Sequence, residues 1–225
     1  MEGHGRLGTR AALVATLGVL AGYHELRRLA IPNNIHFATN TAMIGVVGGI
    51  AVASALSAGE LGLTRAALPK GLRYGAVTAV ALGAAVAAAV KVGVDPTGAI
   101  GESAAVGGRE MLFKVFVKIP IATVFFEELA FRGVVAGLFA RVTSPMRALA
   151  WTSLAFGVWH VSPDQFTSLA GAGRALATIA ATTGAGAAFL LLRRRSSSLA
   201  APLLAHWGTN GMTFLVAWLT VRAIN

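Results

Sequence analysis

The sequence predicts an all-α, polytopic transmembrane bundle of about seven (six to eight) membrane-spanning helices. Of its 225 residues, 56% are hydrophobic and only 12% are charged, whereas a soluble globular domain carries about 25% charged residues. Apolar runs of about 20 residues, the length that crosses the core of a bilayer, occupy nearly the whole chain. We therefore predict a single transmembrane domain over residues 1–225, with no room for a separate soluble domain.

The apolar runs give a helix order and two expectations about helix shape. The fourth run contains Pro120, which predicts a kink or a split in that helix, and the fifth run is short, so the count is open by one. Gly45/Gly49 and Gly133/Gly137 are small-xxx-small spacings, which predict close helix packing. The seven candidate spans are 11–30, 36–57, 72–92, 110–140, 146–161, 170–192 and 198–221.

The basic residues predict an orientation in the membrane. The net charge is +10, but the basic residues stand in short clusters between apolar runs, as in cytoplasmic loops, and lack interleaved aromatics, so we predict no nucleic-acid partner. If the N-terminus and the segments 58–71, 141–147 and 193–197 share one side, that side, with Arg73 just past the second segment, carries ten Lys and Arg residues against six opposite. We therefore predict a cytoplasmic N-terminus. The excess of Arg over Lys, 15 to 4, favours a GC-rich bacterium and hence the bacterial cytoplasmic membrane.

Two acidic residues and an arginine lie within the fourth span, where ionisable side chains are costly and therefore functional-site candidates. On a helix Glu128 and Arg132 are four residues apart, share a face and can pair. Glu127 points about 100° away and has no partner on its own helix. A carboxylate without a charge partner in a low-dielectric site holds a proton more readily, which suits a general base near neutrality. The alternative is that both acids only join helices by ion pairs, for which one acid per arginine would be enough.

Two further polar groups lie on other spans. His160 ends the fifth span and, taken alone, could be a structural histidine beside Trp159. His206 and Asn210 are four residues apart in the last span and project to one side. Such a pair can hold an oxyanion or a water, or it can form an interhelical hydrogen bond. Because lipid does not tolerate these side chains, we expect all three spans to direct them into a shared polar interior.

Other catalytic motifs are absent or misplaced. His24 and Glu25 are not followed by the second histidine of a zincin HExxH motif, and no GxSxG elbow occurs. Residues 101–104, GESA, resemble the GxSx of rhomboid-type serine proteases only faintly, because they lie in a polar loop. The chain has no cysteine, which excludes disulfides and thiolate metal sites.

Taken together, three motifs point to a known family. EELAFR (127–132), FGVWH (156–160) and HWGTN (206–210) match the patterns EExxxR, FxxxH and HxxxN, in that order and each on its own span. This combination resembles the CPBP intramembrane protease family, which groups type II CAAX prenyl endopeptidases with bacterial proteins of bacteriocin processing and self-immunity. The resemblance covers residues 110–222, the expected catalytic core, whereas the spans within 1–92 carry no specific motif.

The resemblance implies a role for each motif residue. Glu127 would be the general base that activates the attacking water, and His160 would help to bind that water. His206 and Asn210 would stabilise the tetrahedral oxyanion, while Glu128 and Arg132 would order the site by pairing. If a metal takes part, its ligands would be Glu127, His160 and His206, which could hold a catalytic zinc. A carboxylate-activated water needs no metal, so we predict no obligatory cofactor, with zinc as the option.

The sequence thus predicts an intramembrane, CAAX-type endopeptidase that is glutamate- or metal-dependent. Water activated by glutamate and histidine would hydrolyse a peptide bond of a membrane-associated peptide or protein. The alternative is a non-enzymatic membrane transporter, or a regulatory or immunity protein, in which the same buried polar cluster forms a proton relay or a docking site.

Overall fold

The computed structural model describes residues 8–92 and 105–224, and within these ranges it contains seven long helices and no strand. Each helix overlaps one of the seven predicted segments, which confirms the all-α class and the helix order. The expectations for residues 101–104 and for Arg6 lie outside the described residues. The helices are α1 (Thr9–Leu29), α2 (His36–Ala53), α3 (Leu68–Lys91), α4 (108–142), α5 (Pro145–Val158), α6 (Leu169–Ser196) and α7 (Ala200–Ile224).

The outer surface of the bundle is that of an integral membrane protein. Within the described ranges, three segments are long and apolar enough to cross a membrane, namely Asn33–Ala53, Ala58–Ala89 and Leu169–Ser196. Large apolar side chains on these segments face outward, among them Val52 at 80% exposure and Val80 at 73%. The 14 residues of α5 rise only about 21 Å, which is short of the roughly 30 Å of a hydrocarbon core. His160 lies two residues beyond the end of α5.

Helix α4 is continuous through Pro120, so the split that this proline predicted does not occur. Its central part is π-helical over Lys114–Phe125 and again over Glu128–Val135, and α-helical turns flank these segments at Gly108–Phe113 and Ala136–Val142. Proline has no N–H to donate, and it is accommodated within the first π segment. π-Helical turns are rare and are often found at functional sites. Both candidate acids lie at the start of the second π segment.

The centre of the bundle is formed by α4, which contacts α1, α2, α5, α6 and α7. Every residue from Glu128 to Val135 is buried, which is unusual for a segment with two charged side chains. Its apolar members, with Phe126, join residues of α1, α2 and α5 in one hydrophobic cluster. This packing holds the charged face of α4 toward α7 and away from lipid.

Small residues allow α3 and α7 to approach closely, and this is the most extensive helix contact among the described residues. A Cβ atom added to Gly208 would lie 2.7 Å from Cα of Ala79, and one added to Gly75 would lie 2.8 Å from the carbonyl oxygen of Ala201. Close backbone approach through small residues is a common mode of helix association in membranes. It places His206 and Asn210, which flank Gly208, at a fixed distance from the rest of the bundle.

We expect Gly208→Ala to lower the stability of the protein by about 1–3 kcal/mol, because the added methyl group overpacks this contact. Gly45→Ala is the matched control, since the same change within α2 meets no described atom within 4 Å. Alanine is the better helix former, so the control should be neutral or slightly stabilising. Thermal melting in detergent compares the two, and equal melting temperatures would contradict the packing described here.

The two glycine spacings seen in the sequence have different outcomes. Gly137 packs against Leu56, whose Cδ2 would lie 3.2 Å from an added Cβ, and Gly133 faces Leu61 at 3.6 Å. At Gly45 and Gly49 no atom of the described residues lies within 4 Å of an added Cβ. The prediction of close packing is therefore wrong for Gly45/Gly49, because that face of α2 points away from the bundle.

One end of the bundle gathers three of the basic segments that the charge analysis assigned to a common side. Arg141 donates from Nε to Oε1 of Glu60 at 2.6 Å and from Nη1 to the carbonyl of Ser54 at 2.8 Å. Arg194 donates to the carbonyl oxygen of Pro145 at 2.9 Å. The backbone N–H of Leu199 donates to the carbonyl oxygen of Gly62, which lies in the 58–71 segment. The 58–71, 141–147 and 193–197 segments therefore do share one end, as predicted.

Candidate functional site

Glu128 is the hub of a buried polar network between α4 and α7. Its Oε1 accepts a hydrogen bond from Nη1 of Arg132 at 2.9 Å and another from Nδ1–H of His206 at 2.8 Å. The side chains of Glu128 and Arg132 are both fully buried, and that of His206 is 6% exposed. The predicted pair of Glu128 with Arg132 is confirmed. The bond to His206 adds a link between helices that the spacing within α4 did not indicate.

Arg132 is surrounded by aromatic rings instead of water. Its guanidinium carbon lies 3.8 Å from the ring centroid of Phe156 in α5 and 5.3 Å from that of Phe189 in α6. Cation–π contacts of this kind gain strength when the cation is desolvated. Its Nε and Nη2 atoms are buried without a hydrogen-bond partner among the described residues. Glu128 and the two rings therefore hold Arg132 in place.

His206 and Asn210 form the α7 side of the site. Because Nδ1 of His206 donates to Glu128, Nε2 is the acceptor in the neutral ring, and Nδ2 of Asn210 donates to it at 3.2 Å. The ring of His206 also stacks on Phe189, with centroids 5.3 Å apart. Oδ1 of Asn210 accepts from the hydroxyl of Thr209 at 3.2 Å, which fixes the orientation of the amide. The predicted common side of His206 and Asn210 is confirmed.

Glu127 lies near the imidazole of His206, on the side of Nε2. Its Oε2 lies 4.0 Å from Nε2 of His206, and its side chain is 12% exposed. This oxygen is buried and has no hydrogen-bond partner among the described residues. Glu128 accepts two hydrogen bonds and Glu127 accepts none from the described residues, so Glu127 is less tightly held, as its position on the helix predicted.

His160 contacts the network only through the ring of Phe156, among the described residues. Its Nδ1 donates to the carbonyl oxygen of Phe156 at 2.7 Å, which leaves Nε2 as the acceptor of the neutral ring. The ring of Phe156 contacts both histidines, with centroids 4.5 Å from His160 and 6.1 Å from His206. The structure therefore brings Glu127, Glu128, Arg132, His206 and Asn210 together, and it sets His160 beside them without a direct hydrogen bond.

Two residues of the site were not identified as contacts from the sequence. Phe156 contacts Arg132, His160 and His206. The sequence did indicate this residue, because Phe156 is the first residue of the FGVWH motif and lies four residues before His160. Phe189 stacks on His206 from α6, and nothing in the apolar sequence around it distinguishes it from a lipid-facing residue. These two rings make the wall that keeps the charged network away from lipid.

The geometry of this cluster does not match a three-ligand metal site. Among the described residues, no group of three or more His, Asp or Glu side chains is arranged to hold a metal ion. In addition, both nitrogens of His206 are engaged, by Glu128 and by Asn210. The set of Glu127, His160 and His206 that could have bound zinc is therefore not gathered into such a group, and no step below depends on a metal.

The fold and this cluster define an integral membrane protein with a carboxylate, guanidinium, imidazole and amide network buried between its helices. Residues 109–212 match the family model described as Rce1-like, type II CAAX prenyl endopeptidase Rce1-like. The resemblance that the three motifs indicated is confirmed over this segment, which contains all six candidate residues. No curated protein and no solved structure matches the chain significantly.

Proposed function

We propose that the chain is an intramembrane endopeptidase that hydrolyses a peptide bond of a membrane-associated peptide or protein. The family match supports protease chemistry, and the observation that carries the assignment is the contrast between the two adjacent acids. Glu128 is fully buried and its Oε1 accepts two hydrogen bonds, whereas Glu127 is 12% exposed and accepts none from the described residues.

In the proposed reaction, Glu127 accepts a proton from a water molecule while the water oxygen attacks the peptide carbonyl carbon. Nε2 of His160, free in the tautomer that its bond to Phe156 sets, accepts a hydrogen bond from that water. The carbonyl π electrons move to oxygen, and Asn210 donates its second amide hydrogen to this oxyanion. Nε2 of His206 donates as well when its ring carries both protons. The carbon–nitrogen bond then breaks, and Glu127 returns its proton to the leaving amine.

Glu128 and Arg132 act as positioning residues in this scheme. By accepting from Nδ1 of His206, Glu128 directs Nε2 toward Glu127 and Asn210. Arg132 in turn fixes the carboxylate of Glu128. Catalytic groups must be held to within a fraction of an ångström to act on one carbonyl group, and this buried chain of contacts supplies that rigidity.

The decisive test of the proposal is cleavage of a fluorogenic membrane-peptide library by the purified protein. We expect products from the wild type and none from a Glu127 variant that still folds. If the library yields no Glu127-dependent product, the transporter or regulatory alternative becomes the better account of the cluster.

Chelation of metal ions is expected to leave most of the activity intact, because Glu127 and His160 bind and deprotonate the water without a Lewis acid in this scheme. The measurement compares cleavage rates before and after prolonged treatment with a chelator. Loss of activity on zinc removal and recovery on zinc return would overturn this expectation. It would also be accompanied by a changed pH profile, since zinc lowers the pKa of its bound water to about 7.

We further propose that the chain lies in a bacterial cytoplasmic membrane with its N-terminus inside. Thr167 and Ser197 are exposed and flank α6, which is long and apolar enough to cross the membrane, so the two positions lie on opposite sides. The chain has no native cysteine, and single cysteines can be introduced cleanly. In intact cells, an impermeant thiol reagent is expected to label Thr167→Cys and to spare Ser197→Cys until the cells are permeabilised. The reverse pattern would place the N-terminus outside.

A further inference from the structure

Apart from the buried polar network, a polar cavity of about 390 Å³ opens at the end of the bundle where α1 ends. Segments that are distant in the chain line it, namely the last turn of α1, the turn into α2, and the residues that follow α5. Three imidazoles and two guanidinium groups contribute to its wall, together with amide and hydroxyl groups, and no carboxylate does. The imidazoles and guanidinium groups are those of His24, Arg27, Arg28, His36 and His160.

The two guanidinium groups of this cavity differ in their partners. Arg28 is neutralised, because it pairs with Glu25 at 2.7 Å and with Asp164 at 3.2 Å. Arg27 forms no hydrogen bond or ion pair with any residue in the part of the chain that the structure describes. The two arginines, Glu25 and Asp164 sum to zero charge, but both acids pair with Arg28. The guanidinium group of Arg27 therefore faces the cavity without a direct partner among the described residues, and it can hold an anion there.

The imidazole of His24 contacts the ring of Trp159, with centroids 5.0 Å apart, but it has no hydrogen-bond partner among the described residues. Both of its ring nitrogens are buried, and neither has a hydrogen-bond partner among the described residues. By contrast, His36 and His160 each use one ring nitrogen on a backbone carbonyl. A buried polar group without a partner is costly, so His24 is a ready hydrogen-bond donor for a ligand in this cavity.

An apolar cavity of about 350 Å³ adjoins the basic one and shares His24 and Val161 with it. Its wall is mostly apolar and includes Leu17 and Leu20, which precede His24 by one to two turns of α1, and Val158 of α5. Glu25 also lines it, and its carboxylate is paired with Arg28. The apolar space therefore lies deeper along the helices and the basic space lies at their end. This is the order in which the chains and the head group of a membrane lipid are arranged.

We infer that these two cavities form a binding site for an anionic phospholipid. The phosphate is held by Arg27 and His24, and an acyl chain enters the apolar cavity beside Trp159. Basic residues in the last turn of α1 also complement the helix dipole, but that role accounts neither for the unpartnered His24 nor for the adjoining apolar cavity. Basic pockets between membrane helices bind anionic head groups by the same chemistry.

The test measures lipid binding to the purified full chain in neutral detergent by native mass spectrometry. Dioleoyl phosphatidylglycerol and dioleoyl phosphatidylcholine are titrated separately, because they carry the same chains and differ in net charge. We expect one phosphatidylglycerol to bind at least about fivefold more tightly than phosphatidylcholine. Arg27→Gln should remove this preference and Arg27→Lys should keep it. The matched control is Arg10→Gln, which neutralises an exposed arginine at the other end of α1 and should leave the preference unchanged.

A second variant tests the apolar half of the site. Ala21 lines that cavity, and Ala21→Phe should weaken both lipids while leaving the preference for phosphatidylglycerol intact. Equal affinity for the two lipids in the wild type, or a preference that survives Arg27→Gln, would overturn the inference. So would displacement of phosphatidylglycerol by an apolar peptide with a free terminal carboxylate but not by its amide, which would assign the site to a peptide end. Since no readout involves cleavage, failure of the proposed peptidase activity would be seen separately.

Discussion

Replacement of Glu127 by Gln is expected to lower the rate of peptide cleavage by about 10²–10⁴-fold, the contribution typical of a general base. The amide keeps the shape of the side chain but does not accept the proton of the attacking water. The same variant should melt at or above the wild-type temperature. Its Oε2 is buried without a hydrogen-bond partner among the described residues, so the substitution removes a charge that the fold does not stabilise.

The matched control for this variant is Glu110→Gln, which neutralises an exposed carboxylate in the first turn of the same helix. It should leave both the cleavage rate and the melting temperature near wild type. Thermal melting in detergent, run beside the cleavage assay, separates the two effects. If Glu127→Gln melts far below the wild type, Glu127 is a structural partner and the roles of the two acids are reversed.

Replacement of Glu128 by Gln is expected to destabilise the protein by about 3–5 kcal/mol, the usual cost of breaking one side of a buried ion pair. Arg132 has no exposure to water and would be left without its charge partner. His206 would lose the carboxylate that accepts from its Nδ1, so the variant should also cleave poorly. The expected pattern is therefore the opposite of that for Glu127→Gln, with lowered stability as the first effect.

A double variant distinguishes this ion pair from general intolerance of substitution in α4. Glu128→Gln combined with Arg132→Met removes both charges, and it should recover part of the stability lost in the single variant. Chemical denaturation in detergent gives the three free energies of unfolding that the comparison needs. If Glu127→Gln and Glu128→Gln both fold well and both cleave, neither acid is the base and the protease assignment loses its chemical basis.

Local features of the site could be predicted from the sequence, because they depend on one helix at a time. The pairing of Glu128 with Arg132 and the common side of His206 and Asn210 both follow from the four-residue spacing on a helix. The hydrophobic runs similarly predicted seven helices in the observed order. The functional roles of these residues stay predictions until the variants above are measured.

Contacts between helices required the tertiary structure, because sequence spacing does not specify how two helices rotate and slide against each other. The bond from His206 to Glu128, the 4.0 Å approach of Glu127 and the position of Phe189 all depend on that packing. The same reason explains the error at Gly45/Gly49, since a small-residue pattern does not say which face of a helix meets a neighbour.

The sequence by itself determined which residues this protein places on each helix, because the period of the backbone hydrogen bonds sets the face of every side chain. The tertiary structure alone decided which of those faces meet. Close contact at Gly208 and burial of the second π segment of α4 bring His206 to Glu128, and the ring of Phe156 contacts both His206 and His160. Which helix faces meet depends on how side chains from distant parts of the chain fit together. A local sequence pattern carries no information about that fit.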